Sequence, residues 1–553
     1  MGLLVVHVNC CTYRQIGNII EPSSIFSQKL LQYLKTDRFF FTLDNSSVTN
    51  GQISLNTTRA LHQVDNRFLS IALDTHLVKK KWEDFDFNSD RLKNLARALS
   101  PAILRLGGTD ADFLIFNSTQ GQPTGRARDD EQGSAEDTRY NKHDFRNNFT
   151  MSVSDWDNIN TFAADVGWDM LFDLNMLLRN HTSWDPTNAR ALLKYSTKKG
   201  YRIAGWELGN EPNHIRHHSN VTIHSYQLGK DFVTLRKLLD QYGYQDSFLI
   251  GPDITKPVLN KALDVEDDIM GQSPLEFLRS FLKFCGNSTY ATTWHSYSLD
   301  GRVATADNFT DPGLMNDLKK EIKQVHDVIR RYRPFLPKSW LGETAGAYGG
   351  GAPGLSNAYA GGFLWLDKLG VSAASGIDLI FRQTFYGGRY GLIGKDLKPT
   401  PVYWLSFAYK QLVGPIVLNV SVSITTDASD ATDRTPTHIR AYAHCTNNRT
   451  RLGSSYSNGS VTLFVLNLQK SNHINLTLGG DLRDKSVDQY LLAPHRENIT
   501  STTVNLNGRK LKLTGRDTIP FLHGQPLAKD TPISIPPLTY GFYVIDANAT
   551  ACQ

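Results

Sequence analysis

No run of about 18 consecutive apolar residues occurs in this 553-residue chain, so a membrane-spanning helix is not expected. Cysteine is scarce. Five residues are too few to staple a disulfide scaffold. Net charge is nearly absent as well. A balance of +5 leaves no electrostatic footprint for nucleic acid, although it would not oppose a polyanionic substrate. The doublet His217-His218 lacks the helical spacing of metal ligands, so neither a metal nor another cofactor is expected. A Gly-rich turn after the first strand, the fingerprint of an open dinucleotide-binding sheet, is missing. No internal repeat is visible beyond alternating strands and helices.

What is present describes a globular protein, 40% hydrophobic and 20% charged, long enough for more than one domain. Fourteen Asn-X-Ser/Thr sequons, from Asn45 to Asn548, point to the secretory pathway and a secreted or lysosomal protein. The apolar start Met1-Gly2-Leu3-Leu4-Val5-Val6 has no cationic residue. It reads either as a weak or truncated signal peptide or as a frayed strand. Cys10 and Cys11 would belong to such a leader, and Cys285, after an apolar helix, reads as a buried thiol.

From residue 68 onward, eight strand-like runs alternate with helices. The runs are 68–74, 102–108, 168–175, 202–209, 247–253, 291–298, 339–343 and 376–383. The clearest helical patterns are 189–199, 226–242, 275–284, 318–332, 357–369 and 402–412. In 226–242, Phe232, Leu235, Leu238 and Leu239 fall at helical spacing. This order predicts the α/β class and a (β/α)8 TIM barrel over 60–413, with enlarged loops. Beyond Gly414 short alternating segments separated by turns take over, at 416–424, 438–445, 461–468, 474–478, 489–492, 503–506 and 539–545. They predict an antiparallel β-sandwich of 414–553, joined by 37–59 through a strand at 39–43 that has no barrel partner. Residues 1–36 form a separate N-terminal segment. The polar stretch 117–148 reads as an exposed loop or linker.

Polar residues mark the ends of the barrel strands, the rim on which this fold builds its sites. They are Asp74, Arg105 with Thr109, Asn175, Asn210 with Glu211, Asp253, His295 with Tyr297, Glu343 and Gln383. Two stretches stand out, Trp206-Glu207-Leu208-Gly209-Asn210-Glu211-Pro212-Asn213 and Trp340-Leu341-Gly342-Glu343-Thr344. Each places a glutamate just beyond a buried strand, where an ionised carboxylate is costly unless solvated or used. One such residue could simply cap the next helix. Two are what glycoside hydrolysis needs: an acid for the leaving oxygen and a carboxylate for the oxocarbenium centre. Glu211 is the candidate acid/base and Glu343 the candidate nucleophile. His295 and Tyr297 are expected to hydrogen-bond Glu343, and ionised Glu343 to raise the pKa of Glu211. Lys79-Lys80-Lys81 reads as a solvated face. Arg216, His217 and His218 read equally as contacts to an acidic substrate or as a solvated loop. Gly349-Gly350-Gly351 reads as a flexible loop, or as backbone N–H groups offered to a sugar carboxylate.

In combination these motifs resemble the heparanase family. They are 206–213, the Trp340–Glu343 segment with Ala347-Tyr348-Gly349-Gly350-Gly351-Ala352-Pro353, Trp294-His295 with Gly301-Arg302, 104–109 with 112–116, and Leu366-Asp367-Lys368-Leu369-Gly370. The resemblance runs from about residue 68 to the C-terminus. It implies a retaining endo-β-glucuronidase of barrel-plus-sandwich fold, with Glu211 as proton donor and Glu343 as nucleophile. Asp74, Thr109, Asn210, Arg302, Gln383 and Tyr390 then match sugar-binding positions, and His295 and Tyr297 join the substrate site. Tyr348, Gly349 and Gly350 match the loop that holds the glucuronate carboxylate, and Cys445 and Cys552 match a disulfide. The implied partner is a glycosaminoglycan, heparan sulfate first, with contact to a cell-surface proteoglycan.

Three features depart from the family. Its basic clusters are thin here, reduced to His143-Asp144-Phe145-Arg146 and to Lys256-Pro257-Val258-Leu259, which weakens selection for sulfate. The stretch 120–142, where the family carries an excised linker, is short. A hyaluronan- or chondroitin-degrading relative and a non-catalytic heparan-sulfate binder are the alternatives.

Overall fold

The computed structural model describes residues 48–119, 146–258, 273–335, 337–424 and 438–553. The N-terminal segment, the strand expected at 39–43, Cys10, Cys11, the linker at 120–142 and His143 to Phe145 lie outside the described residues. Eight parallel strands close into a barrel: β1 (Leu69–Asp74), β2 (Ala102–Gly107), β3 (Trp168–Leu174), β4 (Ile203–Leu208), β5 (Phe248–Ile254), β6 (Ala291–Asp300), β7 (Ser339–Tyr348) and β8 (Leu379–Arg382). Pairing of Ile380 with Leu69 joins the last strand to the first. Each coincides with an expected run, because strands buried on both faces read as continuous apolar segments. One helix that periodicity does not pick out, Val153–Val166, starts at a capping box between Ser152 and Asp155 and ends at left-handed Gly167.

The second domain is an 11-stranded sheet, antiparallel apart from one pairing. Its N-terminal contribution is the strand Val48–Gln63, which pairs antiparallel with Val413–Ile424 and parallel with His473–Leu478. That strand runs past the expected boundary at residue 60. Side chains of the central strand Val461–Asn467 alternate between two cores. Leu463 and Val465 pack with Ile53, Leu476, Tyr543 and Ile545 in the sheet's own core. Phe464 and Leu466 belong with Phe542 and Val544 to the cluster that extends through the barrel.

The helix Gly361–Ala374 lies at this junction and is buried along almost its whole length. A Cβ at Gly370 would collide with the ring of Tyr442, so only glycine lets this sheet strand approach. Asp367, one turn earlier, accepts hydrogen bonds from Arg440 Nε at 2.7 Å and Tyr442 Oη at 2.5 Å. At the chain's end Cys445 is bonded to Cys552, 107 residues apart. Closing a loop of that length in the unfolded chain stabilises by up to ~4–5 kcal/mol in the chain-entropy model. Replacing both cysteines with serine is therefore expected to lower the thermal unfolding midpoint, and an unchanged midpoint would contradict this.

Candidate active site

Side chains on the barrel's inner face alternate with those facing the helices. A lower layer is apolar, with Ile103, Leu171, Ile250, Ala291, Trp340, Leu379 and Phe381. Two residues further along their strands, Arg105, Asp173 and Thr293 form a polar layer of wholly buried groups. Arg105 occupies its centre. Its Nε donates to Glu207 Oε2 at 2.7 Å, Nη1 to Glu343 Oε2 at 3.0 Å, and Nη2 to both Asp253 Oδ2 at 2.5 Å and Asn210 Oδ1 at 3.1 Å. Asp173 Oδ2 lies 3.7 Å from the same guanidinium. The carboxyls outnumber the buried cations. Burial accordingly raises Asp173 and Glu207 well above the ordinary carboxylate range. Asp112, whose oxygens accept the N–H groups of Met176 and Asn210, is raised by burial to about 7.

Glu211 follows β4 in the left-handed region, φ +46°, where its N–H donates to the carbonyl of Asp253 at 3.1 Å. Its Oε1 lies 2.8 Å from His295 Nδ1, and His295 Nε2 lies 2.7 Å from Asp253 Oδ2. Both ring nitrogens face carboxylates. Burial opposes a charge on His295, but Asp253 and Glu343 outweigh it and hold the ring as an imidazolium. Burial would raise Glu211, yet the hydrogen bond and charge of His295 outweigh it and hold Glu211 below its ordinary value. This corrects two expectations. His295 bonds Glu211 rather than Glu343, and in the free protein Glu211 is lowered rather than raised.

Glu343 reaches the cavity only because β7 slips out of register. Trp340 points into the barrel, so strict alternation would turn Glu343 toward the helices. Pairing skips Gly342, from Trp294–Leu341 to His295–Glu343, and reverses the parity. A Cβ at Gly342 would collide with Asp253 Oδ1, which makes glycine necessary at the bulge. Tyr297 Oη donates to Glu343 Oε1 at 2.5 Å while Arg105 holds Oε2.

Both glutamates line one cavity of about 1150 Å³. Asp74, Thr109, His295, Tyr297, Arg302, Tyr348, Gly349, Gly350, Gln383 and Tyr390 line it too, whereas Asn210 is buried and bonds Arg105. Asp74 is raised to about 6 by burial and the nearby charge of Asp110, and its Oδ2 faces Gln383 Nε2 at 3.4 Å. Arg302 is ion-paired with Asp300 beside the ring of Tyr348. The lining also includes His76, Arg146, His214, His217, His218 and Lys256, with apolar Val258. Arg216 does not line the cavity, and Asn175 serves its loop by donating to the Leu114 carbonyl. Asp112, Asp173 and Glu207 escape sequence reasoning because no strand-tip pattern distinguishes them. Among the described residues no cluster of histidine, cysteine and carboxylates could hold a metal ion.

A model of the glycosyl hydrolase family 79 N-terminal domain matches residues 50–370. The chain is 39% identical to heparanase from Gallus gallus, over 91% of its own length and 96% of that protein's. The chain belongs to glycosyl hydrolase family 79. This family 79 glycosidase is also 35% identical to inactive heparanase-2 from Homo sapiens, covering 91% of this chain and 89% of that one. Its identity to hyaluronoglucuronidase from Hirudo nipponia is 33%, covering 91% and 99%. In fold it is similar to a 4-O-α-L-rhamnosyl-β-D-glucuronidase from Fusarium oxysporum, with TM-score 0.58 at 15% identity, covering 90% of this chain and all of that one.

The raised acids of this glycosidase give stability a definite pH sign. Asp74 ionises at about 6 in the folded state against 3.8 ordinarily, so the folded chain keeps a proton that the unfolded chain has released. Its contribution to stability therefore falls as pH rises through that window. Relative to the wild type, Asp74→Asn is expected to gain thermal stability between pH ~4 and ~7. A difference that stays constant with pH would contradict the assignment.

Proposed function

We propose that this family 79 glycosidase is a retaining endo-β-glucuronidase that cuts internal glucuronosyl bonds of a glycosaminoglycan, heparan sulfate first. The observation carrying this reading is that Glu211 and Glu343 share one cavity while bound to different partners. Held by Arg105 on one oxygen and Tyr297 on the other, Glu343 attacks the anomeric carbon and forms a glycosyl ester. Glu211 protonates the departing oxygen. The proton reaches it along the bond from His295, whose ring is the cation in the free protein. Once the ester has consumed the charge on Glu343, Glu211 removes a proton from water, and that water cleaves the ester. Roles thus follow from surroundings rather than from residue type.

The loop of Tyr348, Gly349 and Gly350 supports recognition of the glucuronate carboxylate, because it lines the same cavity and glycines there leave backbone groups uncovered. Arg146, Lys256 and four histidines among the lining residues support a polyanionic chain, although Arg146 is paired with Asp110 and Lys256 with Glu321. Val258, 43% exposed in the lining of the cavity, favours a second reading in which the polymer is hyaluronan or chondroitin. Fourteen sequons and a disulfide support a secreted or lysosomal location, and no helix among the described residues is long and apolar enough to cross a membrane.

Glu343→Gln is expected to cut turnover by about a thousandfold or more while leaving the unfolding midpoint near that of the wild type. An active variant would discredit the nucleophile. Sizing the products from heparan sulfate, hyaluronan and chondroitin at acidic and neutral pH distinguishes the polymers. Cleavage of hyaluronan with none of heparan sulfate would reverse their order, and cleavage of none would favour a binding protein.

A further inference from the structure

Behind the active site, on the helix-facing side of β6 and β7, lies a buried ammonium that the mechanism above does not use. Lys368, in the helix Gly361–Ala374, is 2% exposed. Its Nζ donates to the Ser296 carbonyl at 2.7 Å, to Thr344 Oγ1 at 2.8 Å and to the Ala345 carbonyl at 3.2 Å. Ser296 lies between His295 and Tyr297, and Thr344 follows Glu343. The three acceptors therefore belong to the two strand segments that carry the reacting carboxylate and its hydrogen-bond donor.

The surroundings reinforce the same place. Thr344 Oγ1 itself donates to the Ser296 carbonyl, and Ser296 Oγ donates to Glu321 Oε2 at 3.0 Å. Lys256 reaches Glu321 Oε1 at 3.1 Å and the Tyr297 carbonyl at 3.3 Å. Burial pushes Lys368 down to about 7, and the charged groups around it are Glu321, Lys256, Arg382 and Asp367. Isolating an ammonium from water is costly, and an apolar side chain of the same length would pack there without that cost. The location accounts for the charge. The register slip that turns Glu343 inward leaves Thr344 facing outward, and Lys368 meets it there. From the neighbouring residue Asp367, bonds to Arg440 and Tyr442 fix the same helical turn against the sheet domain.

We propose that Lys368 is a positioning residue that clamps β6 to β7 across the bulge and sets Glu343 against Tyr297. The inference rests on the reading of Glu343 as nucleophile. In the full chain, Lys368→Met removes the clamp while keeping the length of the side chain, and Thr344→Val removes one acceptor at nearly constant shape. Turnover of a fluorogenic aryl β-glucuronide and thermal unfolding are measured for both. A displaced nucleophile lowers kcat but leaves ground-state binding in place. Folded Lys368→Met is therefore expected to lose about tenfold or more in kcat, with KM within about twofold. Thr344→Val is expected to lose about threefold in kcat.

Wild-type kcat in folded Lys368→Met, or a loss confined to KM, would overturn the proposal. Should Lys368→Met fail to fold, Thr344→Val decides, and a wild-type kcat there overturns it equally. The two levels remain separable. An active Glu343→Gln sinks the nucleophile, whereas an inactive Glu343→Gln beside an unimpaired Lys368→Met sinks only the clamp.

Discussion

One guanidinium organises this molecule. Arg105 is wholly buried and meets Glu207, Asp253, Asn210 and Glu343, contributed by β4, β5 and β7 and by the loop that follows β4. Each bond fixes the angle at which a strand end presents its side chains. Removing the guanidinium from such a cluster would strand uncompensated carboxylates, at a cost of about 3–5 kcal/mol. Tied together in this way, the network holds its dipoles before any substrate arrives, and preorganisation of that kind is where much of an enzyme's rate enhancement originates.

From this centre two carboxyls of the same residue type acquire different characters. Glu343 is held by Arg105 on one oxygen and Tyr297 on the other, both donors that stabilise charge. Glu211 touches the cluster only through His295 and Asp253, a chain that carries a mobile proton. The imidazolium explains why Glu211 is lowered. Glu211 and His295, hydrogen-bonded to each other, are better regarded as one titrating unit than as two residues.

Much of this was legible in the amino-acid sequence, for a physical reason. Strands buried on both faces must be continuously apolar, so 102–108 and 202–209 stand out, and the polar residues that end them mark the rim. Glu211 and Glu343 follow from that alone. The strand Val48–Gln63 was not legible, since most of its residues are exposed and its pattern is polar. Nor was the bulge at Gly342, because a glycine inside a strand has several explanations until Asp253 is seen against it. The Arg105 cluster lay furthest out of reach. Its partners are 102 to 238 residues away in sequence, and only closure of the barrel brings them together. The partner of His295 was misjudged for a related reason: neighbouring strands suggest which groups are close but not which way a ring is turned.

The central claim is that Glu343 becomes covalently bonded to the sugar while Glu211 handles the proton. It is tested most directly by trapping the intermediate. The protein is incubated with a fluorinated glucuronosyl fluoride, whose ester turns over slowly, then digested and examined by mass spectrometry. The account predicts a single glucuronosyl adduct on the peptide containing Glu343. An adduct on the Glu211 peptide instead, or hydrolysis of the reagent with inversion and no adduct, would contradict it.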